Sequence, residues 1–342
     1  MIHLDGSSGE GGGQVLRSSL SLALVTGQPF TLTDIRAGRR KPGLQRQHLT
    51  AVLAAKEVCA ADVDGMELGS RRLVFRPSRV RGGDYRFAIG TAGSTSLVLQ
   101  TLLPALLTAD EPSTVVVHGG THNAFAPPFE FLDRTFATAL RRFGAQFDLR
   151  LHRHGFHPAG GGILAASIRP SRFAPTELLR RGEEQPLRAT VLLSQLPTQI
   201  GERELQCVRA RMGQHLGATA IVDVDSPGPG NILLLEREHE LWTEVVSSPG
   251  DRTTSCEKVA ERACLAATEY LASTAPVGEH LADQLLLPMA MAGGGAFRTL
   301  APSQHTKTNA AVIERFLPVS FAFTETRSEG GIRDWIVSVA AR

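Results

Sequence analysis

The sequence has little of what marks a secreted, disulfide-stabilised or membrane protein. Its 342 residues include only four cysteines, which are scattered and lack C-x-x-C spacing: Cys59, Cys207, Cys256 and Cys264. No apolar run reaches the roughly 18 residues of a membrane span, and the first residues lack the basic and apolar regions of a secretory signal. We therefore expect buried, reduced thiols, no membrane partner and a cytoplasmic protein.

An excess of charge of one sign is also missing. Lysine and arginine total 36 and aspartate and glutamate total 34, which gives a net charge of +2. Such a balance does not indicate a protein that coats nucleic acid, so any polyanion site must come from local clustering of basic residues. The length is sufficient for a large core and for two domains.

What the sequence does contain is a repeated order of elements. Three segments, beginning near residues 1, 85 and 278, each show an apolar helix, a strand, a polar loop and a second helix. This pattern predicts an α/β (α+β) fold with three related units, each a small sheet packed on two helices. Residues 182–276 break the pattern and are predicted to form an inserted small α/β domain, which leaves residues 1–181 and 277–342 as the core.

The repeat predicts that equivalent loops of the three units converge. These loops contain three sets of polar residues: Arg36, Arg39 and Arg40; His118, His122 and Asn123; and His305, Lys307 and Asn309. The turns before the first helices, residues 10–17, 91–100 and 279–284, would also correspond. We expect His305 to lie in a polar loop, with Thr308 or Asn309 capping the helix that follows.

A glycine-rich turn over residues 9–14 precedes the first helix. Backbone amides of such a turn can approach phosphate oxygens closely, whereas the alternative is a tight turn that uses glycine for positive φ. The turn is neither a P-loop nor a dinucleotide fingerprint. Glu10 would repel a bound phosphate unless a divalent cation bridged the two groups. Arg17 follows Gln14 on the same helix face.

A basic loop follows the first unit's second strand. It contains five cations with no acid between them: Arg36, Arg39, Arg40, Lys41 and Arg46. Such a run is usually a solvated face, but its position before a helix suits recognition of a few phosphates, since guanidinium groups match phosphate bidentately.

Two further segments carry polar residues of interest. His152, His154 and His157 lie in a stretch with Pro158 and three glycines, which we interpret as a fixed structural or substrate loop because the spacing matches no zinc pattern. In residues 280–284, an aspartate and a glutamine are either polar residues of a first helical turn or hydrogen-bonding partners of a nucleoside.

Five blocks of sequence together resemble the RNA 3′-terminal phosphate cyclase family. They are GEGGGQVLRSSLSL, IRAGRRKPGLQRQHL, HGFHPAGGG, EHLADQLLLPMAMAG and HTKTN, which occur in the family's order and span nearly the whole chain. The resemblance implies three repeats similar to the C-terminal domain of a bacterial translation initiation factor, plus a small inserted α/β domain.

The resemblance also implies a reaction with ATP, with Mg²⁺ or Mn²⁺, and with an RNA that ends in a 3′-phosphate. In that family ATP adenylylates a histidine and releases pyrophosphate, and the AMP then passes to the RNA 3′-phosphate. The neighbouring 2′-hydroxyl expels AMP and leaves a 2′,3′-cyclic phosphate. RNA processing or repair would be the role, while the oligomeric state is not indicated.

By the same resemblance, His305 is the nucleophile and Glu10 the metal-binding carboxylate. Arg17, Arg36 and Arg39 fall near the triphosphate or the RNA terminal phosphate. Relatives carry tyrosine where this chain has His280, and the last block matches only as HxxTN, so Lys307 is given no role. The residues implied at the nucleotide site, with Pro127 and Phe131 enclosing the adenine, are Gln14, Gln100, Pro127, Phe131, His280, Leu281, Ala282, Asp283 and Gln284.

Three alternatives stay open. A non-catalytic cyclase-like protein that acts in ribosome assembly would lack the nucleophilic histidine, whereas this chain retains His305. An enolpyruvate transferase uses similar repeats but needs phosphate-site lysines and has no use for an adenylylated histidine. A protein that only adenylylates nucleic-acid ends would share the first steps.

Overall fold

The computed structural model describes residues 1–9, 11–327, 331 and 333–342. Glu10, the predicted metal ligand, lies outside the described residues. Within the described ranges the chain forms eight α-helices and four four-stranded sheets, which confirms the predicted mixed α/β fold. Among those helices, none is both long enough and apolar enough to cross a bilayer.

The first unit contains β1 (Ile2–Asp5), α1 (Gln14–Thr26), β2 (Phe30–Thr33), α2 (Arg46–Cys59), β3 (Asp62–Asp64) and β4 (Leu73–Arg76). The second contains β5 (Gly83–Ala88), α3 (Thr95–Leu107), β6 (Ser113–Gly119), a π-helical segment (Phe131–Ala137) that continues into α4 (Thr138–Arg142), β7 (Gln146–Arg153) and β8 (Gly162–Arg169).

The remaining elements begin with β9 (Thr176–Leu178). Next come β10 (Leu187–Ser194), α5 (Thr198–Met212) with a 3₁₀ turn (Gly213–His215), β11 (Leu216–Asp223), β12 (Gly230–Glu238), β13 (Thr243–Pro249) and α6 (Cys256–Ala272). The chain then forms α7 (Glu279–Ala292), β14 (Gly295–Thr299), α8 (Gln304–Phe316), β15 (Val319–Arg327) and β16 (Arg333–Ala341).

Three of the four sheets share one topology. Their strand orders are β1-β2-β4-β3, β5-β6-β8-β7 and β9-β14-β16-β15. In each sheet the first two strands pair in parallel and the other neighbours pair antiparallel. The fourth sheet, with order β11-β10-β12-β13, does not follow this order. The repeat in element order is therefore also a repeat in strand pairing.

The third unit has a first strand that the sequence analysis did not predict. Strand β9 pairs in parallel with β14, as β1 pairs with β2. The whole fourth sheet lies between β9 and α7 in the chain, so the inserted segment interrupts the third unit after its first strand. Arg181 holds the two ends of this segment together, because its guanidinium donates to the carbonyls of Tyr270 and Ala275 at 3.0 and 2.7 Å.

The core is built from helices that pack across unit boundaries. Helix α1 contacts α2, α3 and α8, and α8 also contacts α7. Helix α3 is apolar on nearly every face because it lies between neighbouring units, where most of its residues are buried. All four cysteine thiols are free; Cys59 and Cys264 are buried and the other two are half-buried. This packing brings the N-terminal ends of helices from all three units to one cleft.

Candidate active site

A cleft of about 710 Å³ opens where α1, α3, α7 and α8 meet. It is lined by most of the residues that the sequence analysis assigned to the site: Gln14, Arg17, Arg36, Arg39, Gln100, Pro127, Phe131, His280, Asp283, Gln284 and His305. Leu281 and Ala282 do not reach it, because their side chains are buried in the core. Of the three predicted converging loops, Arg36, Arg39, Asn123, His305 and Asn309 line the cleft.

His305 lies in the first turn of α8, so its expected loop position is wrong. The helix is capped by Ser303, whose hydroxyl accepts a hydrogen bond from the Thr306 backbone amide at 3.2 Å. Thr308 is inside the helix, where its hydroxyl donates to the Gln304 carbonyl at 2.7 Å, and it is therefore not the cap. The side chain of His305 is exposed at the cleft beside the N-terminal amides of α8, which favour an anion.

A chain of hydrogen bonds fixes the His305 ring. Its Nδ1 lies 2.7 Å from Gln14 Oε1, and Gln14 Nε2 donates to Asp283 Oδ1 at 2.5 Å. An amide oxygen can only accept, so Nδ1 carries the proton, and Nε2 is the nitrogen that has the lone pair when the ring is neutral. Gln14 was assigned to nucleotide binding, and the structure places it between His305 and a carboxylate.

Asn309 joins the three helices around this chain. Its Nδ2 donates to the Asp283 carbonyl at 2.9 Å, and its Oδ1 accepts from the Ser18 hydroxyl at 2.6 Å. Burial raises the pKa of Asp283, although His305, Asn309 and Arg17 each act to lower it. Asn309 was expected as a possible cap of α8, but it lies inside the helix, one turn after His305, as the HxxTN spacing indicates.

Cations line one side of the cleft. Arg17, Arg36 and Arg39 face it, and Arg36 Nη1 donates to the Gly43 carbonyl at 2.9 Å. The Gly38 amide donates to the Gly11 carbonyl at 3.0 Å, which connects the basic loop to the glycine-rich turn. The arrangement suits a ligand that carries several phosphate charges.

His48 is a buried neighbour of these arginines that the sequence analysis missed. Its pKa is lowered to about 3, first by burial and then by the positive charges of Arg17 and Arg36. Its Nδ1 accepts from the Gln45 backbone amide at 3.4 Å, which requires the neutral ring. No spacing in the sequence distinguishes this histidine from an ordinary helical one.

Two glycines of the glycine-rich turn are required by close packing. A Cβ atom on Gly9, which has φ +67°, would lie 2.1 Å from Thr308 Oγ1. A Cβ atom on Gly13 would lie 2.6 Å from His48 Nε2 and 2.8 Å from Arg17 Nη1. The positive φ of Gly9 agrees with the tight-turn alternative, whereas the approach of phosphate to the amides of this turn stays a prediction.

The other side of the cleft is less charged. Gln100 Nε2 donates to Gln284 Oε1 at 2.6 Å, which links corresponding helices of the second and third units. Pro127 is held by the Ser96 hydroxyl, which donates to its carbonyl at 2.8 Å. Phe131 lines the cleft although it is only 3% exposed, and Phe125, another lining residue, is fully exposed. These surfaces are suited to a nucleobase.

Comparisons with known proteins agree with this geometry. The profile of the family described as RNA 3′-terminal phosphate cyclase matches residues 8–323. A curated protein from Koribacter versatilis (strain Ellin345), named RNA 3′-terminal phosphate cyclase, is 54% identical over 327 residues, which is 95% of this chain and 92% of that protein. The chain belongs to the RNA 3′-terminal phosphate cyclase family.

Proposed function

We propose that this protein uses ATP to convert an RNA 3′-terminal phosphate into a 2′,3′-cyclic phosphate. The observation that carries the proposal is the hydrogen-bonded series Asp283–Gln14–His305 at the floor of an arginine-lined cleft. Family membership supports the same activity. The role would be RNA processing or repair in the cytoplasm.

In the proposed first step, His305 Nε2 attacks the α-phosphorus of ATP. The new N–P bond forms as the bond to the β-phosphate oxygen breaks, and pyrophosphate leaves. Neutral imidazole is a competent nucleophile, and Gln14 keeps it in the required tautomer by accepting from Nδ1. Arg17, Arg36 and Arg39 would neutralise the charge on the phosphates, which is the main task of a protein in phosphoryl-type transfer.

In the second and third steps, the adenylyl group moves to RNA and is then released. An oxygen of the RNA 3′-phosphate attacks the phosphorus of the histidine adduct, and the N–P bond breaks. The 2′-hydroxyl then attacks the 3′-phosphorus, loses its proton and displaces AMP. Because both steps are in-line displacements at phosphorus, positioning by the cleft is more important than a change in protonation of the protein.

The residues on the less charged side fit an adenosine. Gln100, Gln284 and His280 supply polar groups, and Pro127 with Phe131 supplies apolar contact. Mg²⁺ or Mn²⁺, when bound, would neutralise phosphate charge, and Glu10 remains its predicted ligand. Gly9 and Gly13 belong to the same turn of the sequence as Glu10. Gly9 packs tightly against Thr308 of α8, and Gly13 packs tightly against His48 and Arg17.

The test is incubation with α-labelled ATP and Mg²⁺ in the absence of RNA. The parent protein should retain acid-labile label, and His305→Ala should retain none. His152→Ala, which removes an exposed histidine of β7, is the matched control and should label like the parent. Addition of RNA with a 3′-phosphate should discharge the label and yield a cyclic end.

Two results would contradict the proposal. Label that persists in His305→Ala would assign the nucleophile to another residue. Absence of label from a folded parent that binds ATP would rule out the covalent mechanism and favour the non-catalytic binding protein.

A further inference from the structure

A second cluster of ligating side chains lies in the second unit. His122 follows β6, Glu130 directly precedes the π-helical segment, and His154 follows β7. One ligand atom from each residue lies within 4.8 Å of the other two. The side chain of His122 is 0% exposed and that of Glu130 is 9% exposed. Three separate elements therefore bring two imidazoles and a carboxylate to one mostly buried point.

The contacts of His122 allow two arrangements of its protons. Its Nδ1 lies 2.8 Å from Thr121 Oγ1, and its Nε2 lies 2.8 Å from Glu130 Oε2. Thr121 Oγ1 accepts from the Gly155 amide at 2.9 Å, and it can either donate its hydroxyl to Nδ1 or accept from Nδ1–H. In the first arrangement Nε2–H donates to Glu130. In the second, the lone pairs of Nε2 and Oε2 face each other, and a cation between them binds to both.

The third residue adds a second imidazole. The His154 ring lies over that of His122, with ring centroids 5.0 Å apart, and it is half-buried, whereas His122 and Glu130 are buried. The cluster therefore offers two imidazole nitrogens and one carboxylate, and His154 is the member that solvent reaches.

We propose that His122, Glu130 and His154 bind one divalent transition-metal ion of the zinc type. Two imidazole nitrogens and a carboxylate form a recognised zinc ligand set, with bonds of about 2.0–2.2 Å. The ligand atoms of such a tetrahedron are about 3.4 Å apart, so a small opening of the His122–Glu130 contact admits the ion. Water would complete the coordination, and Thr121 would orient His122 from behind, as outer hydrogen-bond partners do.

This site would act as a clamp on the nucleotide side of the cleft. His122 and Glu130 bracket residues 123–129, the loop that carries Phe125 and Pro127. The loop after His154 packs on the inserted segment, where an added Cβ on Gly230 would lie 2.2 Å from Phe156. The ion would be separate from the Mg²⁺ or Mn²⁺ expected near Glu10, because its ligands do not line the cleft.

The proposal is tested by metal binding rather than by catalysis. Metal-free parent protein, titrated with Zn²⁺ alone, should bind one equivalent and gain thermal stability, and Co²⁺ should give the visible absorption of a four-coordinate site. His154→Ala and Glu130→Gln should each lose about 100-fold or more in zinc affinity. His152→Ala, which removes an exposed histidine two residues from a ligand, should bind like the parent.

Binding at the active site is distinguished with His305→Ala. That variant should keep full zinc affinity, whether or not the adenylylation mechanism is correct. A parent that binds no zinc, or zinc affinity that is unchanged in folded Glu130→Gln and His154→Ala, would overturn the proposal and leave the cluster as a hydrogen-bonded pair with a neighbouring ring. Affinity lost only in His305→Ala would equally overturn it.

Discussion

The reactivity of His305 depends on which of its two ring nitrogens carries the proton. Gln14 Oε1 accepts from Nδ1, and the same amide is held in place because its Nε2 donates to Asp283. Since Asp283 lies behind Gln14, it acts on the histidine through that amide and does not need to take up a proton. In the proposed mechanism the glutamine fixes the tautomer and orientation of His305, which is one of the two tasks of the carboxylate in a hydrolase triad.

Gln14→Leu should slow adenylylation of His305 by several-fold to roughly tenfold, since it removes a neutral hydrogen bond that contributes about 0.5–1.5 kcal/mol and frees the ring to rotate. The effect should fall on the single-turnover labelling rate, while the ATP concentration for half-maximal rate changes little.

Gln28→Leu is the matched control for this prediction. Gln28 also spans two elements, since its Nε2 donates to the Phe316 carbonyl at 2.8 Å, but it is not among the residues that line the cleft. That variant should lose stability and retain the labelling rate. Equal labelling rates for Gln14→Leu and the parent would exclude the positioning role.

His48 makes the stability of the folded protein depend on pH. Its pKa falls from 6.5 to about 3 in the folded protein, so the folded chain holds it neutral. Below pH 6.5 the unfolded chain binds a proton there that the folded chain does not, and acid therefore favours unfolding. Each pH unit below this value removes up to about 1.4 kcal/mol of stability.

His48→Gln should remove this contribution, so that its free energy of unfolding falls less than that of the parent between about pH 7 and pH 5, by roughly 2 kcal/mol. The measurement is urea unfolding at a series of pH values. Other buried groups, such as Glu244 with a pKa raised to about 8 and His239 with one lowered to about 4, are present in both proteins and cancel. Parallel pH profiles would contradict a neutral buried His48.

At the scale of the element, the first turn of α8 supports the proposed nucleophile. His305 is the second residue of this helix, and the Ser303 hydroxyl satisfies one of the amides that would otherwise lack a partner. Fraying of this turn would move the imidazole away from Gln14. Helix capping and positioning of His305 are thus coupled.

Ser303→Ala should cost about 1 kcal/mol of stability and also slow adenylylation. Ser255 offers a matched cap, since its hydroxyl accepts from the Lys258 amide at the start of α6 in the inserted segment. Ser255→Ala should lower stability by a similar amount without changing the labelling rate. Ser303→Thr, which retains the cap, should recover both properties. If Ser303→Ala and Ser255→Ala showed labelling defects of the same size, the defect would come from general destabilisation and not from the position of His305.

The elements that sequence reasoning found are the ones whose burial is periodic over many residues. Helix α1 is the clearest case, because its apolar positions recur over 13 residues. Strand β3, which reads Asp-Val-Asp, and the three-residue β9 carry too little pattern to predict. The pairing of β9 with β14 joins residues that are separated in sequence by the inserted segment, so no short stretch of sequence predicts it.

The candidate site likewise contains residues that sequence reasoning identified and residues that it missed. Residues that line the cleft, such as His305 and Arg17, could be identified from motifs. The Gln14 contact and the burial of His48 depend on how α1, α2 and α8 pack together, so no motif reveals them. The cap of α8 was misplaced because Ser303, Thr308 and Asn309 all favour helix N-termini, and only the packing decides among them.

At the scale of the whole molecule, the fourth sheet has two different neighbours. Along β12, Leu233 and Leu235 pack with α5 and α6 in a separate core, whereas Ile232 and Leu234 belong to the main core. Polar contacts join the same surfaces: the Thr135 hydroxyl donates to the Thr243 carbonyl at 2.6 Å. The inserted segment is thus attached to the second unit through a buried face, and its boundaries at 182 and 276 remain a prediction.

Because one face of the inserted sheet completes the main core, we expect residues 182–276 to unfold together with the rest of the protein. The two tryptophans allow a direct test, since Trp242 is buried near this junction and Trp335 lies in β16 of the third unit. Trp335→Phe and Trp242→Phe each leave one fluorescent reporter. For each variant, the urea midpoint reported by the remaining tryptophan should coincide with the midpoint measured by circular dichroism on the same variant.

Core truncations on the two faces of β12 sharpen this test. Leu234→Ala, on the main-core face, and Leu233→Ala, on the face toward α5 and α6, should each cost about 2–5 kcal/mol. In one cooperative unit, each substitution lowers the midpoint reported by both tryptophans. If Leu233→Ala instead lowered only the Trp242 midpoint, the inserted segment would be a separate folding unit, and the buried contacts of Leu234 would be too weak to couple it to the site.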